Sequence, residues 1–256
     1  NDLANENGST YVSWRWKAGG AATTINAGTV SNDVASDVSA NTATGFSIVK
    51  YTGTLGAAGN IDVAHGLGAA PEIIISKRTD STGPWRVRPF FLNSNPYNYL
   101  ELDTNILIAN VNLTDGTMAM PTNNVFSNNW NSGLGGIGDV IAYCWRSIPG
   151  YSKIGFYVGN GSVTGPSIYT GFKPAWLMIK LATDADGSTD NWIILDNKRS
   201  TVNPRQAALF ANLSDAEYPT YGAKVNFLDT GFQIADNDYV INKGSFSTYI
   251  YMTFAE

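Results

Sequence analysis

The sequence predicts an all-β protein made of two tandem antiparallel β-sandwich repeats of jelly-roll-like form. Three observations carry that prediction. Charged residues make up only 14% of the 256 positions while aromatics reach 12% and glycine numbers 26. Asn, Ser and Thr fill the polar positions, which suits strands and tight turns and disfavours helices. Short apolar runs recur about every ten residues between Gly, Asn and Pro, the spacing of antiparallel sandwiches. One eight-residue pattern occurs three times: Tyr11–Ala18 (YVSWRWKA), Val140–Ser147 (VIAYCWRS) and Tyr249–Glu256 (YIYMTFAE). Its second, fourth and sixth residues are large and apolar, so one face of each strand is apolar. A segment that returns in register reads as the closing strand of a repeated unit.

Four segments follow in order. Residues 1–18 read as a closing strand related to the repeats. Residues 19–44, rich in Ala, Gly, Thr, Ser, Asn and Asp, read as a low-complexity linker that can bury little. The first sandwich repeat spans 45–148. It opens with Phe46–Tyr51, passes through His65-Gly-Leu-Gly68 to Pro71, and continues with Glu72–Lys77, a β-branched run suited to burial on both faces. Trp85–Arg88 and Tyr99–Leu102 are further strands, and Val140 opens the closing one. The second repeat, 149–256, restates the order. Lys153–Tyr157 answers Ser47–Tyr51, and Ala175–Lys180 answers Glu72–Lys77. Trp192–Leu195 answers the strand at Trp85, and Ala208–Ala211 answers Tyr99–Leu102. Each repeat of ~105 residues is long enough to bury its own core. The expected core comprises Phe46, Ile48, Ile73, Ile75, Trp85, Tyr143, Trp145, Phe156, Leu177, Ile179, Trp192, Ile194, Met252 and Phe254.

Composition argues against several functions. The formal net charge is −5 with no basic face in the sequence, which speaks against a partner made of nucleic acid. No apolar run reaches the ~18 residues of a membrane span, and no signal peptide is visible. The single cysteine, Cys144, cannot form an internal disulfide and reads as a small buried side chain. Gly133–Gly138 is glycine-rich but leads into a strand, not into the helix a phosphate loop requires.

Candidate chemistry is sparse. His65 is the only histidine, so a Ser–His hydrolase must use it. Its setting before Pro71 reads as a turn with structural hydrogen bonds. Glu72 and Glu101 lie on strands of one unit and are the pair to examine for glycoside cleavage, which needs two carboxylates facing each other across 5–10 Å. Asp184, Asp186 and Asp190 alternate around Gly187 like a short calcium loop, without the distant bidentate Glu. The same residues also make an ordinary hairpin turn. Calcium is therefore the one cofactor to test. Tyr97, Trp130, Tyr218 and Tyr221 stand in predicted loops and could stack on sugar rings; they are the candidate ligand-binding residues, and no catalytic residue is assigned.

The ordered motifs YVSWRWKAGG, GFSIVKYTGT, HGLGAAPEIIISKR, VIAYCWRSIPGYSKIGFYVGNG, GPSIYTGFKPAWLMIK, NWIILD and YIYMTFAE cover nearly the whole chain from Tyr11. Together they resemble the repeated C-terminal β-domain, of unknown function, of marine bacteriophage tail and virion proteins. The resemblance implies a non-enzymatic virion surface protein, extracellular when mature: a tail fibre or other host-facing appendage taking part in attachment. The partners it implies are other virion proteins, copies of the chain itself in a homo-oligomer such as a trimer, and a host-surface glycan or protein. A capsid decoration protein and a polysaccharide depolymerase on a tail appendage are the rival readings. The family brings no catalytic residues to carry over. The Asn-rich stretch Asn93–Asn131 departs from its pattern, and with Asn197–Ala223 it is the expected adhesive surface.

Overall fold

The computed structural model describes residues 8–26, 28, 34–54, 60–111, 118–129, 137–244 and 246–256. In chain order the strands of the first half are β1 (Thr23–Ile25), β2 (Ser36–Asn41), β3 (Phe46–Thr54), β4 (Asn60–Ala64), β5 (Ile73–Arg78), β6 (Arg86–Pro89), β7 (Asn98–Glu101), β8 (Ala109–Asn110), β9 (Val125–Asn129) and β10 (Ile137–Trp145). The second half contains β11 (Ser152–Val158), β12 (Ser167–Tyr169), β13 (Pro174–Thr183), β14 (Ile193–Asp196), β15 (Leu209–Phe210), β16 (Val225–Leu228), β17 (Gly231–Ile234) and β18 (Thr248–Ala255). One helical turn, α1 (Tyr239–Asn242), is capped by the Asp238 carboxylate, which accepts from the Val240 N–H.

The protein is all-β and its strand pairs are antiparallel. A large sheet runs β1-β2-β3-β10-β5-β6-β7-β8, and a second runs β11-β18-β13-β14-β15. Each is backed by a small sheet: β4-β9 behind the first and β12-β17-β16 behind the second. Three apolar layers result. Val49, Tyr51, Val63, Ile74, Phe126 and Ala142 fill the space between the first large sheet and its small partner. Leu177, Ile179, Phe227, Phe232, Tyr249 and Tyr251 fill the equivalent space in the second half. Between the two large sheets lies a third core built from Ile73, Ile75, Trp145, Trp176, Met178, Trp192, Met252 and Phe254.

Alternation within each strand makes this layering, because successive side chains leave opposite faces. Ile73 and Ile75 enter the middle core while Ile74 enters the outer one. Strand β5 therefore carries a continuous apolar run and is buried on both faces over Ile73–Ile75, as its composition predicts.

The central strands of the two large sheets correspond one to one: β3-β10-β5-β6-β7 against β11-β18-β13-β14-β15. Register agrees as well. Ile48 faces Tyr143, which faces Ile75; Ile154 faces Met252, which faces Met178. Ile73 and Leu177 occupy corresponding strands, but Leu177 aligns with Ile74 and so faces the outer core. The expected core thus holds residues of two different layers.

Three expectations are corrected. Tyr11–Ala18 belongs to no strand; Trp14 and Trp16 instead pack against the middle core as an extended strap. Residues 19–44 are more than a linker, because β1 and β2 extend the first large sheet beside β3. Phe156 is 51% exposed at the end of the middle layer and stacks on Phe91. Among the described residues no second strand pairs with β11 on its outer side, so the end of β11 lacks the cover that β2 gives β3.

The two halves are also hydrogen-bonded. The Trp192 indole N–H donates to the Glu101 carbonyl at 2.7 Å, and the Ile108 N–H donates to the Ala182 carbonyl at 2.7 Å. Buried Lys180 donates to the carbonyls of Leu181 at 2.6 Å and Asn105 at 3.3 Å. Among the described residues no helix is long and apolar enough to cross a membrane.

Candidate functional site

The repeated aromatic pattern leads to the most distinctive region, a cleft on the open side of the middle core. The sixth residues of the three motif copies are Trp16, Trp145 and Phe254, and they meet there. Trp16 lies edge-on to Trp145 at 6.2 Å and to Phe254 at 5.4 Å between ring centroids. Trp14 and Trp16 both lie edge-on to Trp176, and the Arg199 guanidinium sits 5.6 Å from the Trp14 ring. On the first sheet, Phe46, Tyr143, Trp145 and Trp85 form a run of near-parallel rings. Cross-strand pairing of β3 with β10 brings these rings together, since Phe46 faces Trp145 across the ladder.

The rings leave a cavity of about 380 Å³, lined among others by Trp14, Trp16, Trp85, Tyr143 and Met178. Its wall is carbon almost throughout. A broader groove of about 1020 Å³ adjoins it, lined among others by Lys17, Asp37, Ser39, Asn41, Lys50 and Ile141. Ile48 lines both, so the two lie side by side on one face of the sheet. The strap is fixed at this junction: the Lys17 carbonyl accepts from Asn41 Nδ2 at 3.1 Å, and the Gly20 carbonyl accepts from Ser39 Oγ at 2.7 Å. Gly19 passes so close to β2 that a Cβ would meet the Ala40 carbonyl oxygen at 2.1 Å.

The other candidate residues are held in structural bonds. His65 is fully buried; its Nε2 lies 3.1 Å from the Thr122 carbonyl, and its Nδ1 accepts the Leu67 N–H at 3.2 Å. Those partners require a neutral ring protonated on Nε2, and burial lowers its pKa accordingly. Thr170 in the second half shares one of these bonds: its Oγ1 accepts the Phe172 N–H two residues on, as His65 Nδ1 accepts that of Leu67. Its hydroxyl donates locally to the Phe172 carbonyl, whereas His65 reaches across to Thr122.

Glu72 accepts from the Ser147 N–H, and Glu101 accepts from Arg86 at 2.6 Å and from Thr104 at 3.1 Å. Glu101 is level with Arg86 and Arg86 with Ser76, so the two carboxylates are two strands and four residues apart. Strand spacings put their backbones about 16 Å apart, and each carboxylate is turned to a partner of its own, Glu72 to the Ser147 N–H and Glu101 to Arg86. Cys144 is fully buried, and burial pushes its thiol up to about 12.

Asp184 and Asp186 do converge, but on an ammonium group. Lys243 Nζ lies 2.7 Å from Asp184 Oδ2, 3.3 Å from Asp186 Oδ2 and 3.0 Å from Ser188 Oγ. Burial pushes the Asp184 carboxyl up, but hydrogen bonds from Lys243, Ser247 and the Ser188 N–H outweigh it and bring the value down to about 2. Asp190 stands apart and accepts from the Asn191 N–H. Among the described residues no group of three or more His, Cys, Asp or Glu could hold a metal ion.

Tyr218 and Tyr221 come together, with ring centroids 5.7 Å apart and each edge-on to Phe210. Tyr97 lies in the other half, before β7, half-buried, with its N–H bonded to Asn95 Oδ1. Trp130 lies outside the described residues. The cleft residues themselves escape the sequence reading as a site, since Trp14, Trp16, Trp85 and Tyr143 all read as strand or core. The shared sixth position was the available signal: three aromatic residues at one repeat position can meet if the repeats pack face to face.

No curated protein and no solved structure matches the chain. A family model described as a domain of unknown function, DUF7483, matches residues 1–256, and the chain belongs to that family.

Proposed function

We propose that the chain is a non-catalytic structural and adhesive segment of a phage appendage, a tail fibre or comparable host-facing part, as its motif resemblance implies. One observation supports the non-catalytic half above others: four acid–base groups singled out from the sequence already hold structural partners. His65 pins a turn, Glu72 caps the exit from β10, Glu101 pairs with Arg86, and Asp184 holds Lys243. A hydrolytic site needs such groups free to face substrate.

The layered body suits a load-bearing role, with three apolar cores joined through two large sheets. Adhesion would use the stretches 93–131, of which 93–111 and 118–129 are described, and 197–223. The second is braced from within: Arg199 pairs with Asp196 at 2.6 Å and with Glu217 at 2.9 Å, and Tyr218 and Tyr221 lie on Phe210. A braced loop presents a fixed surface to a partner at a lower entropic cost than a mobile one.

Antibody labelling and electron microscopy of purified particles test the reading. Decoration of a tail appendage is the expected result. Absence of the chain from particles overturns it, and a uniform shell label would assign the chain to capsid decoration instead. Host-cell binding by the purified protein, lost on deleting 212–220, tests the adhesive half.

A further inference from the structure

We infer that the aromatic cleft and its adjoining groove form a binding site for a small anionic amphiphile: an alkyl or aryl body in the cleft and an acidic head in the groove. The inference rests on the cleft alone and stands apart from any role on a virion. The cleft is large enough, at about 380 Å³, to take a medium-length alkyl chain, and lies within the size range of small-molecule sites. Its lining excludes other classes. A sugar or an ion placed among Trp14, Trp16, Trp85, Tyr143 and Met178 would lose its water partners and find almost no polar replacement. An apolar guest covering these rings removes apolar surface from water, at roughly 25 cal/mol per Å².

The head group follows from the groove that lies beside the cleft at Ile48. Among the described residues it is lined by two cations, Lys17 and Lys50, and one acid, Asp37. Asp37 is opposite Lys50 in the β2–β3 register and also accepts from Thr24 Oγ1 at 2.7 Å. Lys17 is on the strap next to Trp16, where the apolar and polar parts meet. The described lining thus holds two cations to one acid, and an anionic head fits that balance. Ser39, Asn41 and Thr42 supply further polar groups beside it. Trp14 and Trp16 are half-exposed and form the strap side of the cleft.

The test is titration of the intact protein with decanoate below its micelle concentration, read by tryptophan fluorescence and calorimetry. The expected result is saturable binding of one molecule, with a change in tryptophan emission. Met178→Trp fills the cleft and should weaken binding at least tenfold while the far-UV spectrum and melting temperature hold. Lys17→Glu should weaken decanoate about fivefold at low salt and leave decyltrimethylammonium unaffected or tighter, an exposed charge contributing on that scale. A linear, non-saturating response overturns the site. So does unchanged affinity in a folded Met178→Trp protein. Equal affinity for decanoate and decyltrimethylammonium in the native protein overturns the anionic head. If Met178→Trp fails to fold, Ile75→Phe serves as the filling variant under the same criteria.

Discussion

Trp192 offers the sharpest test of how the two halves are joined. Its ring is 1% exposed in the middle core, and its indole N–H reaches across to the Glu101 carbonyl of the first half at 2.7 Å. Trp192→Ala removes a large buried ring and should cost about 3–5 kcal/mol. Trp192→Phe keeps most of the packing and removes the donor, at a cost of about 1–2 kcal/mol. Trp85 occupies the corresponding place ahead of β6, yet it is only half-buried and lines the open cleft. Trp85→Ala should therefore cost less than half as much as Trp192→Ala. The assay is equilibrium unfolding in urea followed by far-UV circular dichroism, which does not depend on the tryptophan replaced. With a slope near 3 kcal/mol per molar, Trp192→Ala moves the midpoint down by about 1–1.7 M. A loss below about 1 kcal/mol for Trp192→Ala, or equal losses at the two tryptophans, would refute the claim that Trp192 is gripped between the halves.

Further outcomes follow from the buried charges and the close contacts. Burial lowers Lys180 to about 7, so between pH 7 and 10.5 the unfolded chain holds the extra proton and stability rises with pH. Lys180→Met should flatten that rise, read as urea midpoints from pH 7 to 9, below the range where the tyrosines ionise. Asp184 is held at about 2 by its hydrogen bonds, so its contribution is present above about 4 and lost as pH falls toward 2. Asp184→Asn should remove that acid-side loss in thermal melts. Because Lys243 fills the Asp184–Asp186 loop, millimolar calcium should move the melting temperature by less than about 1 °C. A Cβ on Gly231 would lie 2.0 Å from the Ile168 carbonyl oxygen, so Gly231→Ala should cost about 1–3 kcal/mol in the same urea assay by forcing β12 from β17.

Fold class and strand positions were legible because apolar runs, turns and the closing pattern are local features. Which face a residue takes was less legible. Strands β5 and β13 are apolar on both sides, so the period-two signal that would separate Ile73 from Ile74, or Trp176 from Leu177, is absent from them. Leu177 was therefore grouped with Ile73 although they enter different layers. Phe156 read as core because its strand alternates, but exposure at a sheet's edge depends on the neighbour, and among the described residues β11 lacks the one that β2 gives β3. Strands β1 and β2 were missed because Ala, Ser, Thr and Asp form a strand only when a partner such as β3 supplies the ladder. The Asp184–Asp190 motif named the acids but could not show that a lysine ~55 residues onward would settle among them.

The meeting of Trp16, Trp145 and Phe254 has a consequence for how such chains can vary. A position that recurs in each copy of a pattern ordinarily drifts independently from copy to copy. Here the three copies share one joint, so a smaller ring in one demands a larger neighbour in another. Sequences of this family should show compensating exchanges at 16, 145 and 254, and a swapped half should be accepted only when it brings the matching ring size with it.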